Sequence, residues 1–253
     1  MILDAFSLRG KVAIVTGCDT GLGQGMSLGL AEAGCDIIGI NRKYPHDTEQ
    51  QVIALGRRFT AIQADLSQQA SYDALVQEAV SRMGRIDILV NNAGTIRRAD
   101  ALEFSEQDWD DVINLNLKAT FFLCQAVARQ FIAQGGGGKI INIASMLSFQ
   151  GGIRVPSYTA SKSGVLGLTR LLANEWAQHG INVNAVAPGY MATNNTQQLR
   201  EDALRNDEII NRIPAARWGT PDDLKGPAVF LASSASDYVN GYTLAVDGGW
   251  LAR

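Results

Sequence analysis

The sequence predicts an α/β fold with one doubly wound parallel sheet of about seven strands and helices on both faces. Short β-branched runs alternate with longer helical stretches, and most of the runs are almost continuously apolar. Apolar runs of this kind are typical of parallel strands that are covered on both faces. Alternating strands and helices indicate right-handed crossovers between parallel strands.

The predicted elements follow one another without a dividing linker. The strands are expected at residues 11–16, 36–40, 59–64, 86–90, 139–144, 181–187 and 243–246. The helices are expected at residues 22–33, 48–57, 67–83, 105–134, 156–179 and 221–233. Ser105 before acidic residues and Thr220 before Pro221 are typical helix starts. The glycine run at 135–138 reads as a helix stop and a tight turn, so we expect one domain over residues 1–253.

The composition narrows the class of protein. With 253 residues, 46% hydrophobic and 19% charged, the chain can bury a sizeable core. A net charge of −3 argues against nucleic acid or an anionic membrane surface as the main partner. Three scattered cysteines and two histidines do not favour a metal site, and they fit a reducing cytoplasm. No secretory signal or run of ~20 apolar residues is present, so we expect a cytoplasmic protein.

A glycine-rich segment links the first predicted strand to the first predicted helix. Residues 16–23 match the pattern Thr-Gly-x-x-x-Gly-x-Gly, and no Gly-Lys-Ser/Thr follows as it would in a P-loop. Glycines let a backbone approach a pyrophosphate, whose charge the helix N-terminus stabilises. On the first strand–turn–helix unit of a Rossmann-type sheet, this segment indicates a dinucleotide site. An ordinary turn is the alternative reading.

Ser145, Tyr158 and Lys162 form a second candidate group. Tyr158 and Lys162 are four residues apart near the start of a predicted helix, so they share one face. Ser145 follows the fifth predicted strand, at the edge where open α/β sheets place their sites. A nearby ammonium favours the phenolate, which would let a tyrosine act as an acid and a base. The alternatives are an exposed aromatic–lysine pair and a serine in a turn.

Taken together, these motifs resemble the short-chain dehydrogenase/reductase family over essentially the whole chain. Further motifs that carry the resemblance occur in the order of the family: Asp65, the run Asn91-Asn92-Ala93-Gly94, Asn116, Pro188-Gly189 and Thr193. The resemblance implies an NAD(P)-dependent oxidoreductase in which Tyr158 donates and accepts the proton. It also implies that Lys162 lowers the pKa of Tyr158 and holds the nicotinamide ribose. Ser145 would position the substrate oxygen, and Asn116 would anchor a water in a proton relay.

The same resemblance implies a set of cofactor residues. The phosphate loop would contribute Gly17, Thr20, Gly21, Leu22 and Gly23. The adenine would lie between Asp65 and Leu66, and Asn92, Ala93 and Gly94 would line the cofactor together with Tyr158 and Lys162. On the nicotinamide side the expected residues are Pro188, Gly189, Met191 and Thr193, the last two at the carboxamide.

The end of the second strand bears on the choice between NAD and NADP. An acid there repels a 2′-phosphate, whereas an arginine can pair with it. The sequence has Asn41 and Arg42 at this point and no acid. Asn41 can bond ribose hydroxyls and Arg42 can bind a phosphate, so both cofactors are allowed. Arg42 could also be a solvated loop charge.

The loops expected around the reacting group are polar and basic. They carry Arg97 and Arg98, then Gln150 and Arg154, and then Asn194 with Asn195. Arginine forks suit a carboxylate and amides suit hydroxyls, so we expect a small sugar acid, with Arg154 and then Arg98 as first choices for its carboxylate. Gln150 and Asn194 complete the expected substrate residues. Three loop stretches also resemble family members that act on sugar acids.

Other classes of function remain to be weighed against an oxidoreductase. The fold could serve a non-catalytic nucleotide-binding sensor, and a methyltransferase also uses a glycine-rich first turn. The complete Ser–Tyr–Lys set favours an enzyme over both. The family resemblance further implies a homo-oligomer, with a homotetramer expected.

Overall fold

We describe residues 1–68 and 71–253 of the protein from a computed structural model. The strands are β1 (Val12–Thr16), β2 (Asp36–Asn41), β3 (Phe59–Gln63), β4 (Ile88–Asn91), β5 (Gly138–Ile143), β6 (Ile181–Pro188) and β7 (Thr243–Val246). As predicted, they form one parallel sheet of seven strands, and their order in it is β3-β2-β1-β4-β5-β6-β7. The order reverses between β1 and β4, and this switch point opens a crevice at the carboxyl edge of the sheet.

Helices cover both faces of the sheet in the described part of the chain. They are α1 (Gly21–Glu32), α2 (His46–Ala54), α3 (Tyr72–Met83), α4 (Glu106–Ile113), α5 (Ala119–Gln134), α6 (Pro156–Trp176), α7 (Gln197–Glu201), α8 (Ala203–Arg212) and α9 (Lys225–Ala232). One core lies between the sheet and α3, α5 and α6, and the other between the sheet and α1, α2 and α9.

Side-chain alternation along the strands explains why both cores are apolar. All five residues of β1 are buried: Val12 and Ile14 face one core, and Ala13 and Val15 face the other. A strand covered on both faces has no solvent side, which accounts for the continuous apolar runs of the sequence.

The predicted helices at 105–134 and 67–83 differ from the structure, the first in its continuity and the second in its starting residue. The helix expected at 105–134 begins as predicted, because Ser105 Oγ accepts a hydrogen bond from Asp108 N at 3.1 Å. A π-helical turn, Asn114–Lys118, then separates α4 from α5. The helix expected at 67–83 begins only at Tyr72, where Ser71 caps it. Residues 69 and 70 of that prediction lie outside the described residues.

Helices α7 and α8 occupy a stretch for which the sequence predicted no element. The stretch is polar, and α8 is held by few apolar side chains. Ile209 and Ile213 of this region pack with Met146 and Trp250 at one end of the carboxyl edge. No helix in the described residues is long and apolar enough to cross a membrane.

Candidate active site

A cavity of about 1370 Å³ runs along the carboxyl edge of the sheet. It extends from the phosphate loop and the end of β2, past β4 and β5, to α8 and Trp250. Pockets for single small ligands commonly measure ~300–1,000 Å³. The cavity therefore has room for a dinucleotide and a small second ligand.

The phosphate loop is closely packed against the loop after β4. Gly17 has a φ of 63°, which favours glycine. A Cβ on Gly23 would overlap the carbonyl oxygen of Gly17 and the side-chain nitrogen of Asn92. Helix α1 can therefore approach the loop only because Gly23 lacks a side chain.

Side-chain hydrogen bonds join the ends of β1 and β4. Asn92 Nδ2 donates to the carbonyl oxygens of Thr16 and Gly17, both at 2.9 Å. Thr16 Oγ1 accepts from Asn92 N at 3.0 Å and from Ala93 N at 2.9 Å. Asn92 thus orders the phosphate loop in addition to lining the cavity.

One end of the cavity lies beside the ends of β2 and β3, where the adenine is expected, and is here called the adenine end. Asp65, Leu66 and Arg42 line it. Asn41 lines it too; it is buried, and its Oδ1 accepts a hydrogen bond from Cys18 N at 2.7 Å. This bond and a contact of Nδ2 with Cys18 Sγ tie Asn41 to the phosphate loop, and a bond from Asn41 to ribose hydroxyls stays a prediction.

Most of the residues expected at the cofactor line the cavity. These are Gly17, Thr20, Gly21, Leu22, Asn92, Ala93, Gly94, Tyr158, Lys162, Gly189 and Thr193, besides the adenine-end residues. Three expected residues, Gly23, Pro188 and Met191, are not in its wall. Pro188 pairs with Val246, and Met191 is buried and bridged to Gly219. They support the wall from behind.

Ser145, Tyr158 and Lys162 meet at the centre of the cavity. Lys162 is 5% exposed, and its Nζ donates to the carbonyl oxygen of Ile143 at 2.6 Å. The same Nζ lies 5.7 Å from the centre of the Tyr158 ring. Ser145 Oγ accepts from Leu147 N at 3.1 Å.

The phenol of Tyr158 and the ammonium of Lys162 both have shifted pKa values. Burial raises the pKa of Tyr158, while a hydrogen bond with Ser145 and the positive charge of Arg98 act to lower it. Burial also lowers the pKa of Lys162 to about 8. A lowering of the Tyr158 pKa by Lys162, expected together with an oxidised nicotinamide, stays a prediction.

Asn116 lies in the π-helical turn outside the cavity wall, and it is buried. Its Oδ1 accepts from Thr95 N at 2.8 Å, and its Nδ2 donates to Thr95 O at 2.9 Å and to Ser161 Oγ at 3.3 Å. These bonds tie the loop after β4 to α6. A role for Asn116 in a proton relay stays a prediction.

Two of the three arginines expected at the substrate are paired with carboxylates, and the third is not. Arg154 lines the cavity, but its guanidinium pairs with Asp100 at 3.0 Å. Arg97 pairs with Asp108 and Asp111 and is not in the cavity wall. Arg98 lines the cavity, donates at 3.4 Å to the carbonyl oxygen of Asn195, and acts on Tyr158. Of the three arginines, Arg98 is the one with no carboxylate partner among the described residues, and which of them binds the substrate stays a prediction.

Several cavity residues were missed in the sequence. They come from α8 and from two segments near it: Tyr190, Arg205, Glu208, Arg212 and Trp250. The Arg212 guanidinium lies 4.0 Å from the centre of the Trp250 ring and donates to Gln150 Oε1 at 3.4 Å. The sequence does contain a signal for α8. Asp202 is a typical residue before a helix, and the apolar residues at 209 and 213 that follow it are four apart, as on one helix face.

The donor set fits a dinucleotide. The glycine-lined loop at the start of α1 suits a pyrophosphate, and the buried Lys162 and the half-buried Tyr158 line the same cavity. No cluster of three or more potential metal ligands occurs in residues 1–68 and 71–253.

The family model for short chain dehydrogenases matches residues 11–204. The chain belongs to this family and is an NAD(P)-dependent oxidoreductase. It is 75% identical to 2-dehydro-3-deoxy-D-gluconate 5-dehydrogenase of Escherichia coli K12, over the whole of both chains. It is 43% identical to gluconate 5-dehydrogenase of Gluconobacter oxydans, over 97% of this chain and 96% of the relative. A crystal structure of a Burkholderia cenocepacia gluconate 5-dehydrogenase in complex with NADP and tartrate has a TM-score of 0.95 and 41% identity over all of both chains.

Proposed function

We propose that the protein reduces 2,5-diketo-3-deoxygluconate to 2-keto-3-deoxygluconate in a reversible reaction of hexuronate and pectin breakdown. The observation that carries this proposal is Arg98, a cation with no carboxylate partner within the described residues, in the wall of the cavity that Tyr158 also lines. A cation next to the proton donor suits an anionic substrate. The 75% identity to a 2-dehydro-3-deoxy-D-gluconate 5-dehydrogenase supports the choice of substrate.

In the proposed reduction, the bound nicotinamide supplies the hydride to the carbonyl carbon. Tyr158 gives its phenolic proton to the carbonyl oxygen, and in oxidation its phenolate takes that proton back. The hydroxyl of Ser145 holds the substrate oxygen beside the phenol. Lys162, fixed on Ile143 O, holds the nicotinamide ribose. Arg98 stabilises the negative charge of Tyr158 between turnovers and binds the substrate carboxylate.

Both NAD and NADP are proposed as cofactors. Arg42 is exposed at the adenine end of the cavity and can pair with a 2′-phosphate. No acid lies at the end of β2 to exclude NADP, and Asp65 Oδ1 accepts bonds from the Ser67 backbone and hydroxyl. The NADP complex of the Burkholderia relative supports NADP use.

A gluconate 5-dehydrogenase activity is the second candidate. It is favoured by the relatives of that name and by the amides of Gln150 and Asn194, which line the cavity and suit hydroxyl groups. Both candidates place a carboxylate and hydroxyl groups in the same cavity. They differ in whether the substrate carries a second keto group.

The experiment is a panel of keto-sugar acids and matching neutral keto-sugars, assayed with NADH and NADPH for the wild type, Arg98→Ala and Arg154→Ala. A hydrogen bond to a charged group contributes ~1.5–3 kcal/mol, so Arg98→Ala should lower kcat/KM for the acids by about 10- to 100-fold. Arg154→Ala is the matched control, because Asp100 holds its charge. Equal losses on acid and neutral substrates would remove Arg98 as the carboxylate ligand. Faster turnover of gluconate than of the deoxy acid would favour the second candidate.

We also propose a cytoplasmic homotetramer. The support for self-association is a set of apolar side chains at the surface of α5 and α6: Phe122, Ile132 and Leu171. Near β7, Tyr238 and Tyr242 are exposed as well. Light scattering of the purified protein gives the number of subunits, and a monomer would overturn this part of the proposal.

A further inference from the structure

Side-chain hydrogen bonds join the end of β5 and the turn after it to α6. Lys162 Nζ donates to Ile143 O at 2.6 Å, and Ser145, which follows β5, acts on the pKa of Tyr158 in α6. A further connection runs through Ser148, at the end of the 3₁₀ turn Met146–Ser148. Ser148 Oγ donates to Lys162 O at 2.7 Å and accepts from Ser145 N at 3.2 Å.

We propose that Ser148 is a positioning residue that acts through Ser145 and sets the geometry of the Ser145–Tyr158 hydrogen bond. The proposal rests on the function proposed for Tyr158. Ser148 is not in the cavity wall, whereas Ser145, Tyr158 and Lys162 are. Its hydroxyl links the backbone nitrogen of one candidate residue, Ser145, to the backbone oxygen of another, Lys162.

The two hydrogen bonds of Ser148, here called the Ser148 bridge, require a hydroxyl. One group must donate to a carbonyl oxygen and accept from an amide N–H at the same time, which only a side chain with both capacities can do. Alanine at this position would leave Ser145 N without this partner, whereas threonine would keep the bridge. The Lys162 carbonyl lies inside α6 and keeps its place in the helix, so the change is concentrated at Ser145.

The expected consequence is a weaker bond between Ser145 and Tyr158. Because that bond favours the phenolate, its loss should move the ionisation of Tyr158 to higher pH. The charged groups that face Tyr158 are Lys162 from its own helix and Arg98 from the loop after β4, and both are retained in a Ser148 variant. We expect kcat to fall by about 3- to 10-fold, the usual size of one net hydrogen bond, with KM for the cofactor unchanged.

The test compares Ser148→Ala and Ser148→Thr with the wild type. Ser236→Ala is the control, because Ser236 Oγ, like Ser148 Oγ, donates to backbone carbonyl oxygens of a helix end, with Leu231 O and Ser233 O both within reach at 3.1 Å. Ser148→Ala should lower kcat and shift the alkaline rise of the oxidation rate to higher pH, and Ser148→Thr should restore both. In a Ser145→Ala background, Ser148→Ala should add almost no further loss, because the two residues act in series.

A second readout does not depend on the substrate. The ultraviolet absorbance of phenolate, titrated in each protein with cofactor bound and corrected with Tyr158→Phe, reports the ionisation of Tyr158 alone. If no sugar acid is turned over by the wild type, the proposed function fails, and this titration still decides the role of Ser148. An unchanged titration in Ser148→Ala, or full additivity with Ser145→Ala, overturns the inference. Ser148→Cys, of similar size, replaces the alanine variant if that variant does not fold, and the same two outcomes apply.

Discussion

At the scale of single residues, burial disfavours the charged forms of Tyr158 and Lys162, the candidate acid–base residue and its neighbour. Burial raises the pKa of Tyr158 and lowers the pKa of Lys162 to about 8. Ser145 and Arg98 oppose the effect on Tyr158. A phenol with a raised pKa keeps its proton near neutral pH, which suits a proton donor in reduction. Oxidation needs the phenolate, so its rate depends on the groups that favour ionisation.

Replacing Tyr158 with phenylalanine removes the proposed proton donor with little change in volume. Tyr158→Phe should lower turnover by roughly two to four orders of magnitude, the usual contribution of a positioned acid–base group. Cofactor binding, followed by fluorescence of the reduced nicotinamide, should persist. Tyr242→Phe, at an exposed tyrosine, serves as the control. Near-normal kcat in purified Tyr158→Phe would show that another group transfers the proton.

The buried ammonium of Lys162 has a consequence for stability. Its pKa is about 8 in the folded state, against ~10.4 in an unfolded chain, so the unfolded state binds more protons between these values. The stability contribution of this residue therefore rises with pH across that window. A shift of this size corresponds to about 3 kcal/mol.

Lys162→Met lacks this titration. Its free energy of unfolding minus that of the wild type should be larger, by about 3 kcal/mol, at pH ~7 than at pH ~10. The loss of the bond to Ile143 O adds a constant that does not change this difference. Urea denaturation at the two pH values measures the difference. Lys118→Met, at an exposed lysine, is the control. A pH-independent difference for Lys162→Met would mean that Lys162 is not desolvated as the structure indicates.

At the scale of elements, the sequence predicted the sheet better than the helices. Buried strands carry a continuous apolar signal, and all seven were found close to their predicted bounds. The π-helical turn in 114–118 leaves the apolar pattern almost unchanged, so periodicity could not reveal it. Helix α8 was missed because its exposed face is polar and its apolar contacts come from distant Met146 and Trp250.

The same limit applies to the site. Ser145, Tyr158 and Lys162 were found from spacing, because neighbouring strand ends and one helix face place them together. The pairing of Arg154 with Asp100 was not predicted, because the two lie 54 residues apart in sequence and only the fold brings them together. Spacing identifies which residues share a site, whereas the pairing of their charges depends on the packing of loops.

The contact between α1 and the phosphate loop gives a test at this scale. Gly23→Ala would place a Cβ against Gly17 O and the Asn92 side chain, so the loop or the helix must move. We expect cofactor affinity to fall by at least ~10-fold and the protein to lose ~1–3 kcal/mol of stability, the usual result of overpacking. Gly226→Ala, in α9 with open space around it, should be neutral or stabilising. Calorimetric titration with cofactor and thermal unfolding compare the two variants. Equal behaviour of the variants would rule out the close approach.

At the scale of the whole molecule, an acidic chain contains a cationic cavity. The net charge is −3, yet Arg42 and Lys43 line the adenine end, and Arg98 and Arg212 line the substrate end. Positive charge lining a cleft concentrates anionic ligands there. Both proposed ligands, a dinucleotide and a sugar acid, are anions. The location of charge within the fold, rather than the net charge, therefore matches the proposed chemistry.

Cofactor binding should accordingly stabilise the folded protein. The size of this stabilisation can be compared between NAD and NADP. A ligand at 100 times its Kd contributes about 2.7 kcal/mol of stability, which appears as a rise in Tm. If Arg42 pairs with the 2′-phosphate, Arg42→Ala should lose most of the rise given by NADP and little of the rise given by NAD. Lys43→Ala tests whether any neighbouring cation has the same effect, because Lys43 also lines this end of the cavity. Thermal unfolding at matched cofactor concentrations measures all four combinations of variant and cofactor. Equal losses for NAD and NADP in Arg42→Ala would place Arg42 away from the phosphate, and a loss confined to Lys43→Ala would assign the contact to that lysine instead.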